Sequence, residues 1–94
     1  MALLLTGIFA IHCGAAEAKT VRSAAVVSEF KRHNPCPANG LRRGKCPGHE
    51  IDHITPLCAD GADHVSNLQW LSREDHRVKT RGDVRHCRAL KRQQ

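Results

Sequence analysis

Three pieces decide the fold: Glu50-Ile51-Asp52-His53-Ile54-Thr55-Pro56-Leu57, then Asn67-Leu68-Gln69-Trp70-Leu71, then Ser72-Arg73-Glu74-Asp75-His76-Arg77-Val78-Lys79-Thr80. The first is rich in β-branched residues and stops at a proline, so it reads as an extended strand. Cys58-Ala59-Asp60-Gly61-Ala62-Asp63 is turn-forming, and Asn67 to Leu71 reads as a second short strand. Ser72 followed three residues later by Asp75 has the form of a capping box. A helix should therefore start at Arg73 and run to about Arg81, with Gly82 as a natural stop. The order strand, loop, strand, helix places the chain in the α+β class.

Outward from this stretch, residues 21–32 form an amphipathic pattern in which Val26, Val27 and Phe30 share one face, with Arg22 and Glu29 elsewhere. Asn34-Pro35-Cys36-Pro37 ends that short helix, because proline removes a donor and restricts the residue before it. Residues 38–48 read as loop. Arg42, Arg43 and Lys45 within it are either solvated or in contact with a nucleic-acid backbone, and both readings stand.

The length of 94 residues allows one domain. Residues 1–18 read as a signal peptide: Leu3, Leu4, Leu5, Ile8, Phe9 and Ile11 form an apolar core, and Ala16-Glu17-Ala18 supplies a small-x-small cleavage site. No Lys or Arg precedes the apolar run, so a buried N-terminal helix is the competing reading. The run is too short to span a membrane, and the bulky His12 disfavours lipid modification of Cys13. Residues 19–94 are then the working domain, with 15 basic against 8 acidic side chains once Glu17 is lost. That excess favours a polyanionic partner. The expected product is exported, periplasmic or extracellular, monomeric and free of any membrane after cleavage. It has one Trp, one Phe and no Tyr with which to build a core, so it needs staples. Four cysteines remain after cleavage. Pairing Cys36 with Cys46 closes a turn-rich local loop, and pairing Cys58 with Cys87 ties the tail to the centre. A structural zinc site is the alternative, but no C-x-x-C knuckle is present and spacings of ten, twelve and twenty-nine suit it poorly.

Asp52-His53-Ile54-Thr55-Pro56-Leu57, Asn67-Leu68-Gln69-Trp70-Leu71 and His76-Arg77-Val78-Lys79-Thr80 together resemble the HNH endonuclease signature, closely over residues 50–80. Its three named residues would be His53, Asn67 and His76, spaced by fourteen and nine. Phe30…Asn34-Pro35-Cys36-Pro37 and Cys46-Pro47-Gly48 look like the exported, cysteine-bearing branch of that family. The resemblance implies a small ββα-metal domain, its core at about 50–81, preceded by a short helix and stapled by disulfides.

The chemistry it implies is phosphodiester hydrolysis of DNA, with RNA as the alternative, using one divalent metal ion: magnesium or manganese first, nickel or zinc as alternatives. A neutral imidazole is suited to take a proton from water near neutral pH, which assigns His53 as general base. Asp52 offers a hard carboxylate oxygen to the ion, and His76 would be its second protein ligand. Asn67 resembles the family residue that pins the loop and orients the base. Lys79 shares the His76 face and is a candidate for phosphate contact; Arg77 reads as solvated. His33, His49, His64 and His86 have no motif position, and Trp70 reads as core. Adjacent strand residues point to opposite faces, so Asp52 and His53 can serve one phosphate only at the strand's edge. Without an evident base-reading helix, cutting should be nonspecific. Two other classes compete: a basic nucleic-acid-binding module without catalysis, and a disulfide-stapled secreted interaction protein.

Overall fold

The computed structural model describes residues 22–94; the signal segment 1–18 and the start of the expected first helix lie outside the described residues. Helix α1, Ala24–His33, begins where Ser23 Oγ accepts the Val26 amide at 3.4 Å. It ends at Asn34, whose backbone and side-chain N–H groups both donate to the Phe30 carbonyl. The last turn carries Lys31, Arg32 and His33, charges that suit the negative end of the helix dipole. A loop follows, closed by the Cys36–Cys46 disulfide.

Strands β1, His49–His53, and β2, Leu68–Ser72, pair antiparallel, with Ile51 opposite Trp70, Asp52 opposite Gln69 and His53 opposite Leu68. Paired residues share a face, so Ile51, Trp70 and Leu68 meet α1. There Phe30, Ile51 and Leu68 are buried, with Val26, Val27, Val65 and Trp70 packed around them. The Phe30 and Trp70 rings lie 5.7 Å apart, and the indole Nε1 donates to the Asn34 carbonyl at 2.9 Å. Trp70 is therefore part of the core, as its strand position implied, and it packs on the first helix.

β1 is shorter than the extended run 50–57 suggested. Beyond His53 the Ile54 amide still bonds the Asn67 carbonyl in register, but the Thr55 amide goes to the side-chain oxygen of Asn67, and there the chain leaves its ladder. Two 3-10 turns, Leu57–Ala59 and Val65–Asn67, carry it back to β2. Gly61 sits so close to the Thr55 carbonyl that a Cβ there would overlap it.

Helix α2, Arg73–Arg92, starts as expected: Ser72 Oγ accepts the Asp75 amide at 3.0 Å. Its end differs from expectation. The helix continues through Gly82 to Arg92, about 30 Å at 1.5 Å per residue. Glycine in a helix interior costs only about 1 kcal/mol. Lys79 pairs with Asp83 across that position, and Cys87 is tied to Cys58. Both second-half anchors would be lost if the helix ended at Gly82. Both disulfides follow the pairing expected from the sequence.

Candidate active site

At the C-terminal end of β1 the side chains of Asp52 and His53 line one cavity of about 420 Å³, together with His76, Thr80 and Asp83 of α2 and Arg22 ahead of α1. β1 stops at His53, and the two residues border this cavity although neighbours on a strand point to opposite faces. Asp52 turns toward α2, while His53 turns toward the loop that follows. Both are buried, at 5% and 9% exposure.

Each oxygen of Asp52 has a separate environment. Oδ2 accepts from Gln69 Nε2 at 3.0 Å and lies 3.1 Å from Lys79 Nζ. Oδ1 lies 3.6 Å from His76 Nε2. The other ring nitrogen of His76, Nδ1, is 2.7 Å from Glu50 Oε1. A carboxylate on one imidazole nitrogen fixes the ring and leaves the other nitrogen to bind. With metal–ligand bonds of about 2.1 Å, two neighbouring ligand atoms stand roughly 3.0 to 3.4 Å apart. The Oδ1–Nε2 gap is a little wider than that span; a hard carboxylate oxygen and an imidazole nitrogen are the two donor types there that could hold a divalent ion. Among the described residues no group of three or more His, Cys, Asp or Glu side chains is arranged to hold a metal.

His53 Nε2 is 2.9 Å from Asp63 Oδ1. Asp63 Oδ2 accepts the Ser23 amide at 2.8 Å, which ties the loop to the start of α1. The His53 bond, the Ser23 amide and the nearby Arg22 charge hold the Asp63 carboxyl below its ordinary pKa, against a smaller opposing effect of burial. An ionised carboxylate only accepts, so Nε2 carries the proton in this bond. In the neutral ring Nδ1 then holds the lone pair.

Lys79 donates to Asp83 at 2.7 Å and to the His53 carbonyl at 2.9 Å, besides its contact with Asp52. Burial lowers its pKa, and the bonds to Asp83 and Asp52 outweigh that, so the net shift is upward. Its ammonium is thus committed within the site. Asn67 does not line the cavity, and its side-chain hydrogen bonds go to the loop and not to His53. Its Nδ2 donates to the carbonyls of Thr55 and Ala62, at 2.9 and 2.8 Å, and its Oδ1 accepts the Thr55 amide. It clasps the loop from both sides.

Arg42 and Arg43 line a separate groove with Lys31 and Arg32 beside α1. Lys45 lies in the same loop and is exposed. None of the three borders the cavity of Asp52 and His53. Of the other histidines, His49 contacts the Pro47 carbonyl and His64 caps the second 3-10 turn.

Glu50, Asp63 and Gln69 were not singled out from the sequence. Glu50 had a readable signal, since it lies two residues before Asp52 and strand residues two apart share a face. Asp63 resembled a turn former, and its partner is ten residues away across a loop.

The HNH endonuclease family model matches residues 35–82, a little over half of the chain. The chain belongs to the HNH endonuclease family. No curated protein and no solved structure gives a significant match. The matched segment of this HNH domain includes Asp52, His53, Asn67 and His76, as well as Glu50, Asp63 and Gln69. No helix among the described residues is long and apolar enough to cross a membrane.

Proposed function

We propose that this HNH protein is an exported, metal-dependent endonuclease that hydrolyses phosphodiester bonds of DNA with little sequence specificity. The observation that carries this reading is the convergence of Asp52, His53 and His76, from one strand end and one helix, on a single cavity. A divalent ion held by Asp52 Oδ1 and His76 Nε2, magnesium or manganese first, would supply positive charge to the phosphate as it becomes five-coordinate.

The remaining work falls to the chain itself. Asp63 holds the Nε2 proton of His53, so Nδ1 is the atom that accepts a proton from the attacking water. Glu50 keeps the His76 ring turned toward Asp52. Gln69 and Lys79 occupy Asp52 Oδ2 and leave Oδ1 open. Asn67 is a positioning residue that holds the loop after His53. The two disulfides suit an oxidising compartment, which supports export by removal of residues 1–18 and the cysteine-bearing branch of the family.

A basic balance of +6 also suits a module that binds nucleic acid without cutting it. Incubation of the oxidised protein with supercoiled plasmid across several divalent metals, beside a chelator control and an RNA substrate, separates the two. Metal-dependent nicking or linearisation of the plasmid is the expected result. Plasmid retarded on a gel but left intact with every metal would establish the binding module instead.

A further inference from the structure

Helix α2 carries a feature that the cavity does not use. Arg77, Arg81, Arg85, Arg88 and Arg92 recur every three or four residues, so at 3.6 residues per turn they fall within an arc of roughly 80°. All five are exposed. Among the described residues no carboxylate pairs with any of them. Of the helix's own acids, Glu74 and Asp75 lie in its first turn, and Asp83 turns inward to Lys79.

A solvated helix face ordinarily mixes its signs. Like charges four residues apart oppose helix formation, and this face repeats that arrangement at 77–81, 81–85 and 88–92. A polyanion laid along it would remove the repulsion. The stripe is also continuous with the site: Arg73, Arg77 and Arg81 border one groove with His76 and Glu50. Farther along, Arg88 and Lys91 border another. From Arg77 to Arg92 the helix rises roughly 22 Å, the length of about six or seven nucleotide steps on one strand of a duplex. Arginine suits phosphate oxygens, which accept its planar fork two bonds at a time. The outer three arginines lie beyond residue 82, where the family match ends.

We propose that this arginine stripe binds the phosphate backbone of duplex DNA flanking the cut site, so that α2 extends the footprint well past the scissile phosphate. The proposal rests on the nuclease reading above. It is tested in the oxidised full chain carrying His53→Ala, so that substrate survives, with and without Arg85→Gln, Arg88→Gln and Arg92→Gln together. Binding is measured against salt for duplexes of about 10 and about 25 base pairs. The parent should bind the long duplex more tightly, and the triple variant should lose that advantage. Its plot of log affinity against log salt for the long duplex should be shallower by about 2.7, the value for three lost phosphate contacts.

The corresponding Lys triple should keep the parent's slope, which excludes misfolding as the cause. An unchanged slope in the Gln triple would overturn the stripe and leave the catalytic reading intact. Equal losses on short and long duplexes would also overturn it, since bulk charge acts on both. A parent that binds neither duplex would take down the nucleic-acid reading, and the stripe with it.

Discussion

Against one face of the β1–β2 hairpin lie Phe30, Val26 and Val27 of α1, closing over Ile51, Leu68 and Trp70. Against the other face lie His76 and Lys79 of α2, meeting Glu50 and Asp52. The α1 face is held mainly by apolar burial and the Phe30–Trp70 ring contact, with hydrogen bonds at the two ends of the helix from Trp70 to Asn34 and from Ser23 to Asp63. The α2 face is held by ion pairs, hydrogen bonds and the Cys58–Cys87 disulfide, and no residue of α2 is fully buried. A small domain with few large apolar residues can furnish one core, and here it lies on one side of the sheet. The other side is left polar. That polarity costs packing, and under the proposed function it is what would let an ion and a phosphate approach Asp52 and His76. The apolar core and the polar candidate site are thus divided between the faces, and His53 sits at the strand end where they meet.

The largest effect should come at that meeting point. His53→Ala should lower turnover about 100- to 10,000-fold, the range for loss of a general base, while metal binding persists. His76→Ala should weaken metal affinity and recover part of its activity at higher metal concentration. Calorimetry with the metal, run beside a cleavage assay, reads both. If His53→Ala cut at a near wild-type rate, or lost metal while His76→Ala kept it, the division of roles would fail.

Next in size are two structural changes, one on each face. Phe30→Ala should cost about 3 to 5 kcal/mol as a cavity in the apolar core of the described residues. Cys58→Ser with Cys87→Ser opens a 29-residue loop and should cost about 3 to 4 kcal/mol. The two should differ in a second readout. Only the cysteine variant, which frees the helix bearing His76, should weaken metal affinity at temperatures where both variants remain folded. Equal metal affinities would show that the α2 face is held without its covalent tie.

A smaller and pH-dependent effect is expected at Asp63. Its folded pKa lies below the ordinary carboxylate value, first because of the His53 bond. Its contribution to stability is therefore fully present above the unfolded pKa of about 3.9 and is lost as pH falls through the lower folded value. Asp63→Asn should be less stable than wild type near neutral pH and should approach it in acid, as read by urea midpoints. A gap that stayed constant into acid would show that the carboxylate charge contributes nothing. The smallest expected change is a gain. Gly82 is helical, and a Cβ there meets nothing within 4 Å, so Gly82→Ala should stabilise the chain by about 0.5 to 1 kcal/mol. A fall in melting temperature would mean that α2 needs the flexibility of that position.

How much of this was readable depends on range. The start of α2 was legible because Ser72 and Asp75 are three residues apart and the cap is a local bond. Its end was not, because what carries the helix past Gly82 is a cysteine partner 29 residues upstream. Asp52, His53, Asn67 and His76 were legible as a spaced pattern of chemical types. Asp63 was hidden, because turn-forming sequence and an imidazole-binding carboxylate use the same residue.

The order strand, loop, strand, helix, the basic balance and the family signature all rest on local propensity or residue type and were readable from the chain alone. Its four described cysteines also left few ways to pair. That β1 ends at His53, so that two neighbours on opposite faces share one cavity, follows from the three-dimensional packing. It alone decided that Lys79 turns inward to Asp52 and Asp83, and that Glu50 anchors His76. These depend on where a helix lands against a sheet. That placement is set by the summed packing and cross-linking of the whole chain, and no local stretch contains it.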